Sequence, residues 1–375
     1  MTPEKLTLTE FRRRVVAGSF PAFPHLGAAL KGLRFVQADP IRSPARAQDL
    51  ILRQRLAGYE AGQLEREFPG LRAEEGFLFA YGFMAPEVWR DLRWRSRSKL
   101  SAQERAVLDF VAESGEVHPR ELDERFGKRA VKNYWGGKSR ATKRILEDLH
   151  DDGFLRISRR EKGVRVYQVP AEDAVEPEAD PATRYRRLAS TTAQVFGPTS
   201  KRFLMAELKS LNHLVGKRSE RERLIEDLVT SGELSEVVVE GVPYVWIREP
   251  WMGKAGEGTA SMADRVRILA PFDPLVRNRE RFEQLWGWRY RFEAYVPAAK
   301  RERGYYAMPL LWREAVIGWV NAKVAKKRLE LEVGYVGKRP RSAAFRKSLE
   351  AEVEALAIFL GLESGAWEWT RNGEG

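Results

Sequence analysis

Gln37 and Asp39 are the residues of this chain whose types and spacing could do chemistry: an amide and a carboxylate two positions apart, inside the stretch LRFVQADPIRSPARAQDLILRQRLAGY. A carboxylate on a stiff bend can orient or deprotonate water and stabilise a nearby positive charge, while an amide offers both a donor and an acceptor. Taken alone, Gln-x-Asp-Pro also fits a helix cap. In that case Asp39 caps a helix starting near Ile41 or Ser43 and Gln37 satisfies nearby backbone.

The elements that must position this pair are legible on either side of it. Leu33, Phe35 and Val36 bring a buried approach to Gln37, and Pro40 biases Asp39 toward extended backbone. Arg42, Arg46, Arg53 and Arg55 follow among Ile41, Ala45, Leu50, Ile51, Leu52 and Leu56, which predicts a basic amphipathic helix reached through Pro44. The pair therefore faces a surface dense in arginine.

The rest of the chain supports an anionic partner. Its 65 Lys and Arg against 53 Asp and Glu leave a formal charge of +12, which favours a polyanion through counterion release. With 375 residues, the length suggests two to four domains. No cysteine is present, which excludes disulfides, thiol nucleophiles and zinc ribbons. The four His (His25, His118, His150, His213) lack metal-ligand spacing, so neither a metal nor a cofactor is expected. Gly137-Lys138-Ser139 resembles the end of a phosphate-binding loop, but Lys132 stands where that loop needs glycine. The N-terminus has no apolar leader segment and no window is apolar enough to span a bilayer. The expected location is cytoplasmic and nucleoid-associated, without membrane partners.

Along the chain, residues 4–17 carry Leu6, Leu8, Phe11, Val15 and Val16 at helical spacing, a second helix is expected near 25–32, and a short polar one within 60–70. FLFAYGFM (77–84) reads as a strand or buried turn. WRDLRWRSRSK (89–99) is the most basic stretch, and Arg93, Arg95 and Arg97 there are candidate phosphate contacts. Ser101 with Glu104 forms a capping box. Helices follow from Ser101, Pro119 and Ser139, then two strands joined by Arg159, Arg160, Glu161, Lys162 and Gly163. That is the winged-helix order, in which the third helix enters a DNA groove and the hairpin tip reaches the backbone. Lys138, Arg140, Lys143 and Arg144 on that helix, Arg159, Arg160 and Lys162 on the hairpin, and Arg42, Arg46 and Arg53 near the dyad complete the candidate DNA-binding set.

The acidic, proline-punctuated run at 171–181 marks a linker. Helices at 185–195, 204–214 and 220–230 and a hairpin over Glu240-Gly241 then repeat the outline. After a second linker at 249–263, strands at 266–269, 305–311, 315–324 and 328–336 and a helix over 342–360 describe a β-rich domain. The predicted class is α+β: winged-helix domains at 1–99 (with the catalytic motif), 100–172 and 183–250, then a C-terminal β-sheet or barrel at 263–375 with a closing helix.

VQADPI with ARAQDLILRQRLAGY, NYWGGKSRATKRILEDLHDDGFL, LAPFDPLVRNRERFEQLWGWRYRFEAYVPAAKRERGYYAMPLLW and GWVNAKV together resemble the bacterial winged-helix DNA glycosylases of the AlkZ and YcaQ type, over essentially the full length. The Gln-x-Asp pair looks like the catalytic motif of the YcaQ-like branch. The resemblance implies a monomeric DNA-repair hydrolase that removes N7-alkylguanine and unhooks interstrand crosslinks in double-stranded DNA. It implies Asp39 as general base or electrostatic stabiliser and Gln37 as water positioner. No lysine lies in the dyad stretch, so coupled lyase chemistry is not expected. The chain departs from the family where a His-Glu pair is usual, carrying Ala80 and Tyr81 there. A non-catalytic winged-helix regulator or architectural factor would share the charge pattern, but it would select one DNA sequence strongly. A nuclease would need clustered carboxylates.

Overall fold

Thr7 decides how the chain begins. Its hydroxyl accepts from the Glu10 N–H and the Glu10 carboxylate accepts from the Thr7 N–H, a capping box that starts α1 at Leu8–Ser19 and leaves Glu4–Leu6 as strand β1. The expected helix over 4–17 is thus a strand and then a helix. In this computed structural model, residues 3–93, 100–128, 130–132, 138–171, 179–247 and 264–370 are described. Among them, no helix is long and apolar enough to cross a membrane.

The first unit runs through α2 (Leu26–Leu33), β2 (Phe35–Gln37), α3 (Ala47–Leu52), α4 (Gln63–Glu67), β3 (Glu74–Phe77), β4 (Tyr81–Met84) and α5 (Pro86–Leu92). Its sheet has the order β2-β4-β3, all antiparallel, and Gln37 pairs with Gly82. Glycine is needed at 82, because a Cβ there would lie 2.4 Å from the Phe35 ring. The FLFAYGFM run is therefore a hairpin that buries Leu78 and Phe79 in its turn.

The second unit keeps the winged-helix order, with α6 (Ala102–Ser114), β5 (Glu116–Val117), α7 (Pro119–Phe126), β6 (Ala130–Lys132), β7 (Lys138–Arg140), α8 (Ala141–Asp151), β8 (Arg156–Glu161) and β9 (Val164–Gln168). Ser101 and Glu104 cap α6 reciprocally, as their spacing predicts. Lys138 and Arg140 belong to β7 instead of α8, since Arg140 is the extended N-cap of that helix. The β8–β9 turn is made by Lys162 and Gly163, both at positive φ.

The third unit has α9 (Pro181–Phe196), α10 (Lys201–Glu207), α11 (Arg218–Thr230) and the hairpin β10 (Ser235–Val239) and β11 (Val242–Trp246). β1 joins its sheet in parallel against β10, so the first residues of the chain pack here and not against α2. β12 (Val266–Ile268), β13 (Met308–Trp312), β14 (Ala315–Ala325), β15 (Arg328–Tyr335) and β16 (Trp367–Trp369) form a five-stranded sheet in that order. Phe345, Leu349, Val353, Leu356 and Phe359 of the helix Ala343–Phe359 are buried, which is the stripe their spacing predicts.

Docking between the first unit and the C-terminal domain is carried by Arg53-Gln54-Arg55. Arg55 makes a two-pronged ion pair with Asp273 at 2.8 and 3.1 Å, both side chains essentially solvent-free, and its second nitrogen also donates to the Ser19 carbonyl. Asp273 in turn caps the helix Pro274–Arg277. Glu352 accepts from Arg53, from Gln54 and from the Ile268 N–H. Removing one partner of such a pair strands a buried charge. Asp273→Ala is therefore expected to lower stability by about 3–5 kcal/mol, read as a shift in the chemical-denaturation midpoint; a loss below about 1 kcal/mol would contradict this account of the interface.

Candidate active site

Strand β2 alternates its side chains between two cores. Phe35 packs with the third unit, whereas Val36 packs with the second unit and the C-terminal domain. Gln37, on the Phe35 side, is largely buried, and its Oε1 accepts from Arg277 Nη1 at 2.8 Å. Arg277 can only donate, so the amide must turn its oxygen inward and leave its NH2 for something else. That NH2 donates to no protein atom among the described residues. Arg277 is itself anchored by Glu207 at 2.7 and 3.1 Å and lies over the Phe79 ring, 5.2 Å from its centroid.

Asp39 sits on the bend that Pro40 imposes. Its N–H donates to Gln48 of α3, and its Oδ1 accepts from the Ile41 N–H at 2.9 Å. This is a local turn, not a helix cap: α3 starts later, at Ala47, without a side-chain cap. The second carboxylate oxygen accepts no hydrogen bond among the described residues. Burial raises the Asp39 pKa above the ordinary aspartate value, with the Ile41 N–H opposing it.

The C-terminal domain supplies the other wall. Phe272 borders the small apolar cleft behind Gln37, which has room for about one water molecule. Phe272 meets Phe292 edge to face at 4.9 Å, and Phe292 meets Tyr306 at 5.4 Å and Tyr295 at 6.1 Å. Tyr306 is buried with an unpartnered hydroxyl. Burial raises its pKa, and so does the charge of Asp39, which places the phenol within electrostatic reach of the carboxylate. A larger cavity, lined among others by Phe77, Trp89, His150 and His213, includes neither Gln37 nor Asp39.

Sequence reasoning singles out Gln37 and Asp39 as candidates but not Arg277, Phe272, Tyr295 and Tyr306, which the structure places around them. All lie in the long PFDP-to-GYYAM stretch, whose density of Arg and aromatic residues was the available signal. Of the candidate DNA-binding residues, Arg42 and Lys162 are exposed. Lys143 and Arg144 are exposed in surface ion pairs with Glu147 and Asp148, and half-exposed Arg159 pairs with Glu116, contacts weak enough to exchange for phosphate. Arg140 is exposed but is tied to the buried carboxylate of Asp123, which it cannot leave cheaply. Arg46 is half-buried against Glu65.

Three of the candidates need correction. The Arg53 side chain is 5% exposed and paired with Glu352, and Arg93 is buried over the Trp89 ring at 4.1 Å with its Nε on the Gly153 carbonyl. Arg160 closes on the buried Glu75. All three join domains instead of presenting charge to solvent. Arg95 and Arg97 lie outside the described residues, as does the side chain of Lys138. Tyr81 donates its hydroxyl to Glu75 at 2.7 Å under the guanidinium of Arg165.

A family model described as DNA glycosylase AlkZ-like matches residues 30–359. Among solved structures, the DNA glycosylase AlkZ of Streptomyces sahachiroi superposes with a TM-score of 0.64 at 15% sequence identity, covering 98% of this chain and all (100%) of that one. At that identity the likeness speaks for the fold.

The unpartnered hydroxyl makes Tyr306→Phe a clean probe. Removing a buried group with no protein partner is expected to change stability by less than about 1 kcal/mol, checked by the denaturation midpoint. A larger loss would mean that the hydroxyl is structurally engaged.

Proposed function

We propose that this chain, which belongs to the AlkZ-like DNA glycosylase family, is a monofunctional hydrolase of the N-glycosidic bond to N7-alkylguanine, and that it unhooks interstrand crosslinks made through such bases. Base excision from DNA is the family's activity; the lesion class and the roles of Gln37 and Asp39 are our reading. The observation that carries it is an amide pinned at its oxygen by Arg277, two residues from a carboxylate with one oxygen unclaimed.

An N7-alkylated guanine is already cationic and leaves without protonation. What the reaction demands is stabilisation of positive charge on the sugar and delivery of water to C1′. Asp39 is suited to both, because half-burial strengthens its field at a nearby cation and raises its basicity. The NH2 of Gln37, left over once Arg277 takes the amide oxygen, can donate to the attacking water and fix its position. The bond from C1′ to N9 breaks, its electron pair neutralises the departing purine, and the water proton passes to the carboxylate. The exposed cations of Arg42, of the α8 end and of the Lys162 turn are our candidates for the phosphate contacts.

Single-turnover release from a duplex carrying N7-methylguanine tests the reading, with a crosslinked duplex in parallel. Asp39→Asn is expected to lower the rate by roughly 10²- to 10⁴-fold, and Gln37→Ala by about tenfold, the loss of one hydrogen bond. Wild-type release of neither substrate would reject the lesion class. The pH profile supplies a separate check. Burial disfavours the ionised form of Asp39, so activity should fall as the pH drops through a value above the ordinary aspartate range. A rate that stays level down to that ordinary range would remove Asp39 as the required base.

A further inference from the structure

Beside the dyad stands a surface that hydrolysis does not use. The segment between Glu293 and Tyr305 lies in the connection from the helix Arg279–Trp286 to β13 and folds into a closed loop. Its neck is tied by Glu293, a buried carboxylate that accepts the N–H groups of Glu302, Arg303 and Gly304 at 2.9–3.2 Å. Three consecutive amides on one carboxylate make the loop rigid before anything binds. On it, Tyr295 is 81% exposed, although Phe292 supports it edge to face, and Tyr305 is 43% exposed with the Arg301 guanidinium 5.1 Å above its ring. Arg301 is held there by a hydrogen bond to the Val296 carbonyl, and Lys300 is exposed beside it.

Single exposed aromatics are common and need no explanation. Two tyrosines on a preorganised loop, flanked by cations and joined through Phe292 and Phe272 to the cleft behind Gln37, form a more specific arrangement. The cations suit a phosphate backbone, and the exposed rings offer electron-rich faces on which a base can stack.

We propose that Tyr295 and Tyr305 form an aromatic lip that stacks on the face of the alkylated, positively charged purine and so selects cationic lesions at the site. The proposal rests on the reading above for its substrate class. It adds a subsite: a charged π-system gains more from a tyrosine face than a neutral purine of the same shape. An open lip also holds a base without a deep pocket, as a base still attached to the opposite strand requires.

The test is equilibrium binding of the full chain to three duplexes. One carries an uncleavable 2′-fluoro N7-methylguanine, which is cationic; one carries 7-methyl-7-deazaguanine, its neutral counterpart; one is undamaged. The wild type is expected to prefer the cationic lesion over the neutral one by roughly three- to tenfold. Tyr295→Ala should abolish that preference and weaken binding to the cationic lesion about tenfold, with Tyr305→Ala acting in the same direction. Tyr295→Phe keeps the ring and should keep the preference.

Tyr295→Ala that discriminates like the wild type, or a wild type that does not distinguish the cationic from the neutral lesion, overturns the lip. Loss of the preference in Tyr295→Phe as well would also overturn it, because the hydroxyl and not the ring face would then be responsible. Wild-type release of N7-methylguanine from a cleavable duplex is scored separately. Preference without release would reject the lesion reading and leave the lip standing, whereas release with no effect of Tyr295→Ala on binding would do the reverse.

Discussion

The buried pair of Arg55 and Asp273 is the constraint on which the rest of this structure depends. Two charges removed from water are tolerable only when they pair with good geometry and further hydrogen bonds compensate most of the lost hydration. Here Arg55 is held by both Asp273 oxygens and by the carbonyls of Ile51 and Ser19, while Asp273 also caps the helix that carries Arg277. One ion pair thus fixes the end of α1, the end of α3 and the entry to the C-terminal domain. Gln54 and Arg53 repeat the device on Glu352, and Arg267 returns a hydrogen bond to the Gln54 amide oxygen. Three adjacent residues of the dyad stretch clamp a domain more than two hundred residues away in sequence.

The consequence is that neither half of the chain owns the candidate site. β2 and Pro40 place Gln37 and Asp39, but Gln37 is oriented by Arg277, and the aromatic wall comes from Phe272, Phe292 and Tyr306. An unrestrained amide could present either end. Holding its oxygen decides which hydrogen-bonding group is left for a water or a sugar, and the clamp keeps that decision in place.

The second unit is attached by a similar logic. Glu75, completely buried, gathers Arg160 and Tyr81, and His150 bonds to its backbone carbonyl. Arg156 closes on the neighbouring Glu74. A share of the arginines that make the chain so basic are therefore spent inside, between units, and the surface available to a polyanion is smaller than the charge count suggests.

The winged-helix order of the second unit, the hairpin turns at Lys162-Gly163 and Glu240-Gly241, the closing-helix stripe and the Gln37–Asp39 pair were all readable in the sequence. Each depends on local rules: a capping pair, a turn that needs positive φ, a helical period, a proline that stiffens its predecessor. Three things were not readable for want of such a rule. The strand at Glu4–Leu6 exists because β10 offers it an edge. Arg53, Arg93 and Arg160 look like DNA contacts until Glu352, the Gly153 carbonyl and Glu75 claim them. Arg277 and Tyr306 are unremarkable residues until docking brings them beside the dyad. The sequence alone determined the elements and singled out the candidate pair Gln37 and Asp39, because those follow from neighbours along the chain. Only the tertiary structure decided which charges face solvent and which way the amide points, because both are settled by partners that folding brings from far away in sequence.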